Sequence, residues 1–394
     1  MEGGATLPPD HFHGFRRRGG EVGIRNHVLI LPTTVEVNVV AKRISQLTPG
    51  SVSIAHEHGV LQIQPDLDRT FRILRGVGAN PNVGAVLIVG FSDEDPILAA
   101  QLQKLLGVNK PVAAMYVRRA GGSARSIEYG AKLAGQLVEE VRAISREPVS
   151  LAELIVGSKC GGSDTTSGLA CNPALGGAVD RIIAAGGAVV FGETTELIGA
   201  EHILARRAVS NEVAERLVGC VKRYEDAVLR IGEDMRGGNP SPGNIAGGLT
   251  TIEEKSLGCI SKAGTAPLKD VVEYGERISG SGLYFMDSPG NDVECVSGML
   301  SSGAHLVCFT TGRGTPTGSP IAPVIKLCAN PRTAVSMKDN IDIDVSGVLA
   351  GAQSLSEASE AIFERVVAVA SGMPVKAEVL GHREFSINRI AATR

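Results

Sequence analysis

The sequence predicts an α/β protein with two parallel-sheet domains and helices packed on the sheet faces. Three observations point there. Short apolar runs alternate with stretches of helical periodicity, the pattern of strands joined by covering helices. Glycine, at 49 of 394 residues, suits many tight strand-to-helix turns. The alternation breaks around residues 146–149, where Pro148 interrupts it, and then restarts, and the length accommodates two cores of ordinary size.

Residues 1–13 carry no apolar run and are expected to be a disordered start. Residues 14–147 are expected to form a doubly wound N-terminal domain, with strands at 28–31, 52–55, 83–90 and 112–117. Its first helix is read from Val37, Val40, Ala41, Ile44 and Leu47, apolar at spacings of three and four. Residues 148–394 are expected to form the second α/β domain. Its strands fall at 154–156, 188–191, 283–286 and 306–310, and its helices at 172–185, 197–207, 212–231 and 355–370. The turn-rich run 236–244, RGGNPSPGN, is either a flexible linker or an ordered binding loop.

A formal net charge of −3 supplies no large basic field, which excludes nucleic acid and acidic membrane as general partners and favours a small ligand. No stretch of about 18 apolar residues predicts a membrane span. The seven cysteines are odd in number and lack a CxxC pair, which argues against a disulfide framework or a zinc ribbon. Reduced thiols and a cytoplasmic setting are the expectation. Cys259, Cys295, Cys308 and Cys328 sit in apolar surroundings and read as core fillers.

In open parallel sheets, ligands bind beyond the carboxyl ends of the strands, so the polar residues that follow each apolar run are the first candidates. They are His56-Glu57-His58, Ser92-Asp93-Glu94-Asp95, Lys159-Cys160 with Ser163-Asp164, Glu193 to Glu196, Asp287-Ser288-Pro289, and Thr310 to Gly314. The run 155–164 stands out, because it packs Lys, Cys, Ser and Asp among three glycines that let backbone approach a ligand closely. Arg313 lies between two glycines and offers a bidentate fork to a carboxylate, against the plainer reading of a turn arginine paired at the surface. Lys326 is a further cation. His56, Asp93, Cys160, Glu193 and His202 are residue types that bind divalent metals, although no short spacing fixes them as a set. Their plainer readings are a solvated turn at 56–58, helix capping at 92–96 and a core hydrogen bond for His202. Neither GxGxxG after the first strand nor a P-loop is present, so a nucleotide site is disfavoured.

Five segments carry a resemblance: GFRRRGGEVGIRNHVLILPT (14–33), GSKCGGSDTTSGLACNPALG (157–176), FGETTELIGAEHILARRAV (191–209), NPSPGNIAGGLTTIEEKSLG (239–258) and CFTTGRG (308–314). Together they resemble the altronate and galactarate dehydratase family, which includes the large subunit of sulfolactate sulfo-lyase. The resemblance implies a lyase that removes water, or sulfite in one branch, from a 2-hydroxy acid to give a 2-keto acid. It also implies Fe²⁺ or another divalent metal, Mn²⁺ or Mg²⁺.

On that basis His56, Lys159, Glu193 and Arg313 are the expected catalytic residues. Arg313 and Lys159 would hold the carboxylate, and His56 or Glu193 would move the proton. Ser163, Asp164, Asn244, Thr311 and Lys326 are expected at the substrate, and Asp93, Glu94, Cys160 and His202 at the metal. Two positions depart from the family pattern: Val60 and Asp93 stand where relatives tend to have cysteine. The departures leave room for another reading, a binding subunit that kept the fold without the metal. A separate small subunit and homo-oligomeric association are also implied.

Overall fold

The computed structural model describes residues 10–92 and 96–393, so Asp93 and Glu94 lie outside the described residues. The first part of the chain contributes β1 (His11–Arg16), β2 (Val22–Gly23), β3 (His27–Pro32), β4 (Ser51–Ser53), β5 (Val83–Gly90), β6 (Val112–Tyr116) and β7 (Glu147–Ser150). β3 to β6 form a parallel sheet in the order β4-β3-β5-β6. The β5 sequence VGAVLIVG is apolar at every position and fully buried, as a strand covered on both faces must be.

The second part contributes β8 (Ile155–Gly161), β9 (Ala188–Phe191), β10 (Leu268–Val272), β11 (Gly282–Met286), β12 (Leu306–Thr311), β13 (Val324–Cys328) and β14 (Ile343–Asp344). All seven run parallel, in the order β10-β11-β9-β8-β12-β13-β14. From β8 the chain first winds to one side, through β9, β10 and β11, and then crosses to β12 on the other. The strand order therefore reverses between β8 and β12, the place where open parallel sheets hold their ligands.

The two sheets share a core. Leu29, Val52, Val86 and Ile88 of the first sheet belong to the same buried cluster as Val190, Met286, Val307 and Phe309 of the second. Helices Gln64–Ala79 and Asp292–Ser301 pack against each other across this junction. Buried amides lock it. Asn80 Nδ2 donates to the carbonyls of Leu300 and Ala304, both at 2.9 Å, and Asn82 Nδ2 donates to those of His305 (2.7 Å) and Ile321 (3.1 Å). The C-terminal tail also returns to helix Gln64–Ala79, where Asp66 accepts from the backbone N–H groups of Ile390 and Ala391.

Several expectations need correction. Residues 11–13, expected within a disordered start, belong to β1, because their backbone pairs antiparallel with β7 and Phe12 is fully buried. The presumed boundary near 148 is thus itself a paired strand. β8 runs to Gly161 instead of stopping at Val156, since its polar residues find partners inside the protein. The helix expected over 197–207 contracts to Glu201–Ala205 after a 3-10 turn at Thr194–Glu196. Run 236–244 is ordered: Ser241 and Asn244 form a capping box, and Asn244 Nδ2 donates to the Ser163 carbonyl at 2.8 Å. Among the described residues no helix is long and apolar enough to cross a membrane.

Replacing Asn82 by Ala orphans two buried carbonyls and the Ile24 N–H that its side chain accepts. The expected loss is roughly 2–3 kcal/mol in urea unfolding. A loss below about 0.5 kcal/mol would show that the junction does not depend on this amide.

Candidate active site

Glu193, just past β9, has φ 75°, and among the described residues it is the one non-glycine residue with positive φ. Such a conformation persists only where surrounding bonds impose it, and it concentrates at functional sites. Ser288 Oγ accepts the Glu193 N–H at 2.8 Å. The carboxylate takes Lys159 Nζ on Oε1, and Lys262 Nζ (2.9 Å) with the Cys160 N–H (3.2 Å) on Oε2. Lys159 is fully buried on β8 and also donates to Asp292 (2.9 Å) and to the Cys160 carbonyl (2.6 Å).

Burial alone would push the Glu193 carboxyl up, yet the two ammonium groups outweigh it and hold the pKa below the usual carboxylate range. Burial likewise opposes the charge on Lys159 and Lys262. It is overcome by Glu193 and Asp292 at Lys159, and by Cys160, Cys259 and Glu193 at Lys262, so both stay well above the ordinary lysine value.

A second layer adjoins the first. Cys160 Sγ lies 2.9 Å from Cys259 Sγ and accepts from Lys262 Nζ at 3.3 Å. Cys259 Sγ donates to Glu196 Oε2 at 3.1 Å, and Lys255 holds Glu196 Oε1 at 2.8 Å. Lys255 also donates to Asn239 Oδ1 at 2.7 Å, which leaves its third N–H without a protein acceptor among the described residues.

Loops from four directions close over this floor. Asp164 accepts from Thr166 Oγ1 (2.7 Å), the Ser167 N–H (3.0 Å) and Asn330 Nδ2 (2.8 Å), which ties the turn after β8 to the turn after β13. Gly312 is required here, because a Cβ at that position would fall 2.2 Å from the Asp164 carboxylate. Exposed Arg313 lays its guanidinium on Gly243, where a Cβ would meet Nη1 at 1.9 Å. Thr311 Oγ1 accepts from the Gly314 N–H at 3.0 Å and so shapes the same turn. Beneath these loops, between the segment after β8 and helix Ile252–Ile260, lies a cavity of about 280 Å³ lined by Ser163, Asp164, Asn172, Lys255 and Cys259, with Leu169 and Leu257 also in its wall. A larger hollow of about 570 Å³ lies beside β6 and helix Ser123–Arg142, and none of the clustered groups lines it.

Other nominated residues do not come to this cavity. His56 is buried at the end of the first sheet with both ring nitrogens engaged, Nε2 with the Pro32 carbonyl (3.2 Å) and Nδ1 with the His58 N–H (3.3 Å). Burial lowers its pKa. Lys326 lies inside β13 and donates to the Thr317 carbonyl at 2.9 Å, and burial pushes its pKa down to about 8. His202 is exposed on helix Glu201–Ala205, whereas Cys160 is 2% exposed.

Comparison with known proteins settles the lineage. The family model for D-galactarate/altronate dehydratase, C-terminal, matches residues 151–393, and that for D-galactarate dehydratase/altronate hydrolase, second domain, matches residues 14–142. The chain belongs to the galactarate/altronate dehydratase family. It is 42% identical over 381 residues to (2R)-sulfolactate sulfo-lyase subunit beta of Chromohalobacter salexigens, covering 96% of this chain and 97% of that protein. It is 35% identical to the altronate dehydratase of Bacillus subtilis over 97% of this chain and 78% of the relative. Against the galactarate dehydratase (L-threo-forming) of Escherichia coli it is 35% identical over 76% of this chain and 59% of the relative.

Family membership raises the question of iron or another divalent metal, and the described donors do not fit one. Every oxygen of Glu193 and Glu196 already accepts from an ammonium, an N–H or an S–H group, with three lysines alongside. Among the described residues no group of three or more His, Cys, Asp or Glu is arranged to hold a metal ion.

Lys255, Cys259 and Lys262 were not singled out for this site from the sequence, and Cys259 was read as a core filler. Their spacing of i, i+4 and i+7 places them on one face of helix Ile252–Ile260 and the turn that follows, a signal the sequence does contain. Glu196 lies one turn beyond Glu193.

The Glu193→Gln substitution leaves two buried ammonium groups underneutralised, with an expected cost of about 3–5 kcal/mol at neutral pH. In the wild type, Glu193 contributes stability that is present above the unfolded value of 4.5 and lost as pH falls through its depressed folded value. Lys159 and Lys262 contribute stability that is present below 10.5 and lost as pH rises through their elevated folded values. Thermal melts across pH should therefore show a plateau bounded on both sides, with the acid limb reduced in the variant. An unchanged acid limb would remove Glu193 from the account.

Proposed function

We propose that the chain is a lyase that eliminates water from a sugar acid or related 2-hydroxy acid to give a 2-keto acid. The observation that carries the reading is the cavity beside the turn after β8, lined by Lys255 and Cys259, with Glu196 bonded to both of them behind that wall and Arg313 on an adjoining loop. Loss of sulfite from sulfolactate is the second reading. It is favoured by the match to the sulfo-lyase subunit beta, which spans 97% of that protein.

Proton removal beside a carboxylate builds a dianion, and fixed cations in a water-poor cleft lower the cost of that charge. Lys255 supplies one such cation, because Glu196 holds its ammonium charged and one N–H is left for the substrate. Arg313 supplies a planar fork for the carboxylate. Glu196, in contact with the Cys259 thiol, replaces His56 and Glu193 as the proton acceptor in this reading, since it meets one ammonium group where the fully buried Glu193 meets two. Lys159, Glu193 and Lys262 position this floor, and Ser163, Asp164, Asn244 and Thr311 hold the loops above it.

No step in this reading passes through a metal. A requirement for Fe²⁺, Mn²⁺ or Mg²⁺ is read by running the assay with chelator and with each ion. A separate small subunit, homo-oligomeric association and a cytoplasmic setting belong to the same proposal.

Assayed anaerobically against aldonates, aldarates and sulfolactate, with and without a small partner subunit, the chain should release a 2-keto acid. No turnover under any of these conditions ends the proposal. Lys255→Met should lower kcat/KM about 10²–10³-fold while the protein stays folded. Arg313→Lys should act mainly on KM, by about tenfold. Wild-type kinetics in the Lys255 variant would move the dianion site elsewhere.

A further inference from the structure

We propose that Cys160 and Cys259 form an oxidisable dithiol at the floor of the cavity, and that a small peroxide converts it to a disulfide that disables the site. The cross-link stands on geometry alone, and the disabling effect rests on the function proposed above. The two sulfurs lie 2.9 Å apart although 99 residues separate them in the chain, one on β8 and the other on helix Ile252–Ile260. A disulfide bond is about 2.05 Å long, so closure asks for less than about 1 Å of approach. All seven cysteines are free and buried, and among the described residues this is the pair whose sulfurs touch. Cys259 also lines the cavity, which gives a molecule the size of hydrogen peroxide a path to one sulfur.

Neighbouring groups supply what the chemistry needs. Cys259 attacks one peroxide oxygen: an S–O bond forms, the O–O bond breaks, and the thiol proton leaves through Glu196, which already accepts it at 3.1 Å, so that the departing oxygen becomes water. Cys160 then attacks the sulfenic sulfur. The S–S bond forms, the S–O bond breaks, and the hydroxide takes the Cys160 proton as a second water. The two thiols supply the two electrons that reduce the peroxide.

The hydrogen bond to Cys160 and burial both raise the Cys259 pKa, so the reaction is slow compared with that of an exposed low-pKa thiol. Cross-linking withdraws Cys259 from Glu196 and ties the helix that carries Lys255 to β8. Both changes fall on groups assigned to proton transfer and charge stabilisation.

The experiment treats the full chain, purified anaerobically and assayed with its small partner if turnover needs one, with excess hydrogen peroxide. Thiols counted in denaturant should fall from seven to five. Peptide mapping without reductant should give one linked pair containing Cys160 and Cys259, and dithiothreitol should reverse it. Turnover should drop at least about a hundredfold and recover on reduction. Cys259→Ala should keep all its remaining thiols under the same treatment, and if that variant fails to fold, the wild-type peptide map decides alone. Seven thiols after oxidation, or linkage between other cysteines, overturns the cross-link. A Cys160–Cys259 disulfide with turnover intact overturns the inactivation and leaves the lyase reading standing. No turnover before oxidation fails the lyase reading, while the thiol count still decides the cross-link.

Discussion

The buried contact between Glu193 and the two ammonium groups of Lys159 and Lys262 is the constraint around which the second sheet is arranged. Three charged groups at 2% side-chain exposure or less are tolerable only because each compensates another. That mutual need accounts for several features at once. β8 continues through Lys159 and Cys160, Glu193 takes a left-handed backbone, and Asp292 at the start of its helix turns toward Lys159. A buried ion pair is weak evidence of stability for its own sake, since apolar residues of similar volume would do as well or better. Keeping charge here is better explained by work that needs fixed charge.

Topology carries that charge to a place where a ligand can use it. The strand order reverses between β8 and β12, where open parallel sheets place their ligands, and the turns after these strands meet, with Gly312 on Asp164 and the Arg313 N–H donating to the Gly162 carbonyl. The turn after β13 and the 239–247 loop fill the sides, joined through Asp164, Asn330, Asn244 and Gly312. The loops hold one another by hydrogen bonds, so their side chains act mainly as framework. Among the described residues, groups with capacity to meet a ligand include the third N–H of Lys255 and the exposed guanidinium of Arg313, with the Cys259 thiol in the cavity wall.

The parallel sheets and the meeting of the turns after β8 and β12 were legible from apolar runs that end in glycine and polar residues. β5 and helix Leu355–Ala370 fall where their patterns place them, because burial on both faces or along one stripe leaves an unmistakable period. β10, β13 and β14 were not seen. β13 contains a buried lysine and β14 is two residues long, so neither presents the continuous apolar run of an interior strand. Of the two ammonium partners of Glu193, Lys262 was missed because it reaches the carboxylate from 69 residues away in sequence, and only folding makes them neighbours. His56 and His202 illustrate the converse. Their residue types suit chemistry, but one has both ring nitrogens occupied by backbone and the other faces solvent.

The central claim is that the cavity beside the turn after β8 is where a hydroxy-acid anion is held. A crystal structure of the chain soaked with a slow or unreactive 2-hydroxy acid tests it most directly. The account predicts density between Ser163, Asp164 and Lys255, with the carboxylate against Lys255 or Arg313 and the reacting carbon toward Glu196 and Cys259. An anion bound instead beside His56 at the end of the first sheet, or in the hollow along β6, would contradict it.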